Sequence, residues 1–179
     1  MPEKKLPARS ILEWLAAVIT AVLLFFFIRN FVIRVANVTG SSMEPTLNHG
    51  DYVILSRFSY IFSEPEPGDI VAFPYRGNPS EHYIKRVIGR PGDIIDLRDY
   101  RFVINGEPLD DGFSFEEIVA LGDVMFPLTV PEGQYFMLGD NRNGSKDSRY
   151  SSVGCVPKKE MLGKVALRVL PIGRFGTVR

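Results

Sequence analysis

Ile11 to Ile28 reads ILEWLAAVITAVLLFFFI, 18 residues interrupted only by Glu13 near its start. As a helix it would extend about 27 Å at ~1.5 Å per residue, close to the hydrocarbon thickness of a bilayer. Three arrangements accommodate such a run: a membrane anchor, a cleavable secretory signal, or a buried core helix. A helix apolar on every face needs a larger protein around it than 179 residues provide. A cleavable signal has a shorter apolar run with an A-x-A-like site after it, and no such site follows directly. The reading adopted is an uncleaved transmembrane anchor over 11–33, between an N-terminal tail (1–10) and a folded domain (34–179). Lys4, Lys5 and Arg9 precede the run and Arg29 and Arg34 follow it, a bias that favours a cytoplasmic N-terminus. Trp14 suits an interfacial position, and membrane lipid becomes an expected partner.

Beyond the anchor the composition is that of one globular domain. Lys+Arg and Asp+Glu both number 21, and no basic stripe interleaves with aromatics, so nucleic acid is not an expected partner. Cys155 is the single cysteine, which rules out an intrachain disulfide and a cysteine-based zinc site. No metal or organic cofactor is expected. His49 and His82 are the only histidines, so a Ser-His-Asp arrangement has two candidates for its base.

Short β-type runs punctuated by turns fill the rest. Strands are expected at Asp51–Leu55, Ile70–Phe73, His82–Ile88, Arg101–Ile104, Tyr135–Leu138 and Lys164–Leu170. Asn105-Gly106 is a strong hairpin signal, because both positions tolerate positive φ. The expected fold is mainly β, coiled antiparallel sheets or a partly open barrel, with an insertion at about 95–133. Phe113 to Leu121 reads as a short helix or a loop. Phe58, Tyr60, Ile61 and Phe62 cluster beside the turn-rich Ser63–Pro67, either as ordinary core or as a surface that dips into lipid headgroups.

Three stretches carry chemistry. Thr39-Gly40-Ser41-Ser42-Met43-Glu44-Pro45 sets adjacent serines after a glycine, and a serine hydroxyl is a weak nucleophile until a base takes its proton. Tyr83-Ile84-Lys85-Arg86-Val87-Ile88 places Lys85 in a strand with Tyr83 and Val87 on its face and Ile84, Arg86 and Ile88 on the other. A lysine titrates near ~10.4 in water, and desolvation can lower that by several units, which would free a neutral amine to act as a base. Taken alone, Lys85 reads better as a strand lysine reaching to water. Gly139 to Arg149 reads GDNRNGSKDSR, a dense polar loop directly after an apolar strand.

Together these stretches resemble the type I signal peptidases, membrane-bound serine proteases of bacteria. The likeness runs from the anchor to about Arg168. It rests on Gly40–Leu47, Gly68–Phe73, Tyr83–Asp93, Gly139–Arg142 and Asp147–Arg149. It implies the signal-peptidase type of β fold and a single-pass protein of the plasma (inner) membrane, with an extracytoplasmic catalytic domain. It implies Ser42 as nucleophile and Lys85 as general base, with Ser145 positioning the lysine amine and Asp147 and Arg149 bracing the loop. The Ser42 backbone N–H would serve the oxyanion. Val38, Met43, Leu47, Tyr83 and Ile84 would shape pockets for small residues at −1 and −3 of a preprotein signal peptide. The sequence departs from the family pattern at Gly40, a hydroxyl residue in some members, at Asn143-Gly144, and in a longer Tyr150–Val153. Two rivals share the fold: soluble self-cleaving repressor proteases, disfavoured by the apolar run, and an anchored binding module without activity.

Overall fold

The computed structural model describes residues 8–27, 33–110, 112 and 117–178. Helix α1 (Ala8–Phe27) opens the chain. Along it the large apolar side chains from Ile11 to Phe26 are exposed, so no other part of the described chain covers it. That excludes a core helix. Among the described residues no helix is long and apolar enough to cross a membrane. Residues 28–32 of the expected anchor lie outside the described residues.

Twelve strands follow in chain order: β1 (Ile33–Asn37), β2 (Tyr52–Ser56), β3 (Ile70–Tyr75), β4 (Asn78–Gly89), β5 (Ile94–Arg98), β6 (Arg101–Ile104), β7 (Glu107–Pro108), β8 (Leu128–Thr129), β9 (Gln134–Leu138), β10 (Val156–Pro157), β11 (Gly163–Leu170) and β12 (Gly176–Thr177). They form an eight-stranded sheet in the order β1-β2-β11-β3-β4-β9-β10, with β12 beside β11, and a four-stranded sheet in the order β7-β6-β5-β8. The expected mainly-β class is therefore observed. The strands of the small sheet lie between Ile94 and Thr129. Of the stretch expected as a short helix or a loop, Phe113–Leu121, residues 113–116 lie outside the described residues and 117–121 have no regular structure.

Two features position the site. First, β4 pairs with β3 along its length but with β9 only from Arg86 onward, so its Asn78–Lys85 segment keeps one free edge. Among the described residues strand β1 pairs only with β2, which leaves its other edge free of them as well. Secondly, the register Ile33↔Ser56 brings the end of β2, and the short helix α2 (Ser59–Phe62) after it, beside the start of β1. Phe58, Ile61 and Phe62 are exposed there, so the cluster is surface rather than core. Tyr60 turns inward, packs on Val71 and its neighbours, and donates to Asp69 at 2.9 Å.

The core lies in three clusters. One joins Val38, Met43 and Leu47 to Val53, Leu55, Ile70, Ala72 and Val165, which seats the serine turn on the large sheet. Another fuses the two sheets through Ile88, Ile95, Phe102, Ile118, Phe136 and Leu138. There Phe102, Phe126 and Phe136 meet edge to face with centroids 5.7–6.1 Å apart. Phe136 has no exposed surface. Phe136→Ala should lower stability by about 3–5 kcal/mol, read as a lower urea midpoint with an unchanged m-value.

Candidate active site

Gly40 turns the chain out of the β1 segment with φ +89, a conformation that strains any residue bearing a Cβ. Its N–H donates to His49 Nδ1 at 3.2 Å, and Glu44 N–H returns to the Ser41 carbonyl at 3.1 Å. The resulting turn buries Met43 and Leu47 and leaves the Ser42 hydroxyl half-exposed. Asn141 then clasps the turn: its N–H donates to the Ser42 carbonyl at 3.1 Å and its Nδ2 to the Ser41 carbonyl at 3.2 Å. Gly139 has to be a glycine, since a Cβ would stand 2.4 Å from the Ser42 carbonyl oxygen and 2.2 Å from Ser145 Oγ.

Lys85 comes to this turn from β4. Its Nζ lies 2.6 Å from Ser42 Oγ, and the side chain is only 3% exposed. Burial pulls its pKa down to about 8. The carboxylates of Asp147 and Asp140 oppose that shift and Arg149 reinforces it. With the amine neutral, the contact runs in the useful sense, with Oγ–H donating to the nitrogen lone pair. A hydroxyl facing a neutral amine in a desolvated pocket can be deprotonated as it attacks a carbonyl. Among the described residues, no protein acceptor takes the Ser42 N–H, which leaves it for a developing oxyanion.

The loop after β9 braces both groups. Asp147 and Arg149 are wholly buried and paired through two contacts, Nε to Oδ1 at 2.8 Å and Nη2 to Oδ2 at 2.9 Å. Asp147 also accepts the Gly139 N–H at 3.0 Å, and Arg149 donates to the carbonyls of Ala120, Arg142 and Ser145. The expected bracing pair is thus in contact. Ser145 differs from expectation: its hydroxyl is buried but makes no hydrogen bond, so it does not hold the Lys85 amine here.

A cavity of about 320 Å³ contains Ser42 and Lys85, with Val38, Met43, Tyr83 and Ile84 in its lining. It adjoins a space of about 560 Å³ between Arg34–Asn37 of β1 and Ser80–Ile84 of β4, the two free strand edges. Four of the five expected pocket residues therefore face the cleft. Leu47 instead lies fully buried in the core and supports the turn from beneath. A larger cavity of about 820 Å³, lined by Tyr60, Asp69 and Lys164 among others, contains neither Ser42 nor Lys85. Volume alone points away from the chemistry.

Sequence reasoning assigned no role to Arg86 and Asp140. They form a second buried two-contact pair at 2.8 and 2.7 Å, and Arg86 also donates to the Gly68 carbonyl at 2.8 Å. The available signal was adjacency, since each stands next to a residue of interest within its motif. Asn143, one of the departures, accepts from Val119 and Ala120 and donates to the Glu117 carbonyl, so it stiffens its loop. Tyr150–Val153 closes as a turn on Asp147 and Tyr150 carbonyls.

The chain is similar to known proteins over most of its length. A family model described as signal peptidase, peptidase S26, matches residues 11–170. A probable signal peptidase I-2 of Synechocystis sp. is 38% identical over 95% of this chain and 78% of its own. Signal peptidase I S of Bacillus subtilis is 36% identical over 87% of this chain and 86% of its own. A crystal structure of a signal peptidase I from Enterococcus faecalis V583, 35% identical, superposes with a TM-score of 0.50 and covers 58% of this chain and 98% of that one.

The depressed Lys85 pKa has a stability consequence. The unfolded chain holds a proton on this amine up to about 10.4, whereas the fold releases it near 8, so folding carries its full cost below pH 8. That cost disappears as pH rises from the folded towards the unfolded value. Lys85→Met should therefore be more stable than the parent at pH 7 by about 1–3 kcal/mol. The gap should close by about pH 10.5, as thermal melts across pH will show.

Proposed function

The chain belongs to the signal peptidase, peptidase S26, family, and we propose that it removes N-terminal signal peptides from secreted and membrane preproteins, with Ser42 as nucleophile and Lys85 as base. The observation that carries the assignment of roles is the 2.6 Å approach of the buried Lys85 amine to the Ser42 hydroxyl.

The neutral amine takes the Oγ proton as Oγ attacks the carbonyl of the residue before the cut. Negative charge on that oxygen meets the Ser42 N–H. The intermediate collapses to an acyl-enzyme, and Lys85 returns the proton to the departing amine. The same amine then draws a proton from water, which hydrolyses the ester and frees Ser42. An extended substrate fits between the free edges of β1 and β4, where both strands offer unpaired backbone groups. Val38, Met43, Tyr83 and Ile84 narrow the cleft beside Ser42, which favours small residues at −1 and −3 by excluding larger ones. Ser145, Asp147 and Arg149 keep the loop against the dyad. The inactive binding module finds no support, because both reactive groups are present and in contact.

The proposed location rests on the apolar run. The apolar run from Ile11 to Ile28 anchors the protein once in the plasma membrane, N-terminus in the cytoplasm, and the catalytic domain stands outside. Phe58, Ile61 and Phe62, exposed beside the start of β1, rest in the lipid interface next to it.

Ser42→Ala should retain the fold by circular dichroism and lose at least about 1,000-fold in kcat/KM on a preprotein or a short A-x-A peptide. Processing at the parental rate would remove Ser42 from the mechanism. Because the active form of Lys85 is unprotonated, kcat/KM should rise with pH through a midpoint near 8. A profile flat from pH 6 to 9 would require another base.

A further inference from the structure

Tyr75, the last residue of β3, borders neither portion of the cleft, yet four features fix its ring. The β3–β4 register slips after Pro74, which sets Asn78 rather than Glu81 opposite Tyr75, and such irregularities re-aim side chains. Gly77 in the hairpin tip leaves room for it, since a Cβ there would stand 2.6 Å from the Tyr75 ring and hydroxyl. Lys146 donates to Tyr75 Oη at 2.9 Å and lies 4.9 Å from the ring centroid. Ser152, from the longer Tyr150–Val153 segment, stands beside the same oxygen. So fixed, the ring stacks on Tyr83 with centroids 4.7 Å apart and planes within 4°.

Tyr83 depends on that stack. Among the described residues its hydroxyl has no hydrogen-bond partner, and its ring is held by Tyr75 face to face and by the buried Phe73 edge to face at 6.3 Å. Tyr83 lines both portions of the cleft. Its ring centroid lies 5.1 Å from Lys85 Nζ, which is itself 2.6 Å from Ser42 Oγ. The ring therefore stands beside the residue whose carbonyl Ser42 attacks, the one at −1, and its position sets the width of the cleft there. A wall held by ring contacts can swing aside once its stacking partner is gone.

We propose that Tyr75 is a positioning residue for specificity: tethered by Lys146, it braces Tyr83 and so sets the size limit for the residue at −1. The inference rests on the peptidase reading above. Its test is a competition in one tube, with the full chain in detergent, between two peptides alike except at −1. One is A-x-A, and the other carries 2-aminobutyrate, one methylene larger, in place of the −1 alanine. The ratio of kcat/KM values is independent of how much enzyme is folded. The parent should prefer alanine at least about tenfold, the worth of one methylene in an apolar pocket. Tyr75→Ala should shrink that preference at least about threefold. Tyr75→Phe, which keeps the stack and loses the tether, should fall between the two. Gly77→Ala, whose added methyl displaces the ring, should shrink the preference too, and it decides the matter if Tyr75→Ala is inactive. A ratio left unchanged, whether or not both rates fall, marks a merely structural role and overturns the proposal. A parent that cuts neither peptide would strike the peptidase reading itself, a distinct outcome.

Discussion

The amine of Lys85 is useful to Ser42 only while water is kept from it, and the packing around β4 maintains that exclusion. Desolvation lowers its pKa, yet Asp147 and Asp140 both lie close enough to pull the other way. Two free carboxylates beside a buried ammonium would keep it protonated. Here each carboxylate is engaged by a guanidinium through two contacts, Asp147 by Arg149 and Asp140 by Arg86. Arg149 offsets part of that pull, and burial outweighs the rest. The two arginines are thus part of the base's environment although neither touches the hydroxyl it acts on.

Burying an ion pair rarely stabilises a fold more than well-packed apolar side chains would. What these pairs supply is connection. Arg149 has no exposed surface and uses its remaining donors on the carbonyls of Ala120, Arg142 and Ser145. One side chain therefore ties the polar loop to the approach to the small sheet. Arg86 does likewise for the turn at Gly68. The distance between Ser42 and Lys85, 43 residues apart in sequence, is set by this frame together with the Asn141 clasp.

The sequence was most legible where local chemistry dictates local form. Alternation marked β4 and put Lys85 on the Tyr83 face, and Asn105-Gly106 marked a hairpin. It was least legible where partners come from afar. Strand β1 was not expected: its first residue, Ile33, was read as the end of the anchor, and only its register with β2 defines it as a strand. The β5–β6 hairpin turns through Asp99 and Tyr100 at φ 46 and 60, without the glycine that announces such a turn. Leu47 looked like a pocket wall since its motif lies beside the serine, whereas burial depends on which way the turn folds. Ser145 had the right loop and chemistry, but a hydrogen bond is a matter of ångströms that no motif encodes.

The serine turn itself illustrates how one residue's role is settled by another far along the chain. Gly40 offers an N–H within two residues of the nucleophile, an apparent second donor for the oxyanion. That N–H already donates to His49 Nδ1. It therefore fixes the turn rather than the transition state, and the Ser42 N–H remains the donor the turn presents. A histidine on this chain accordingly serves the reaction through backbone geometry. It acts as neither base nor ligand, and its scarcity in the sequence gave no hint of that. On the proposed mechanism the base is an amine, and burial brings the pKa of that amine down to about 8.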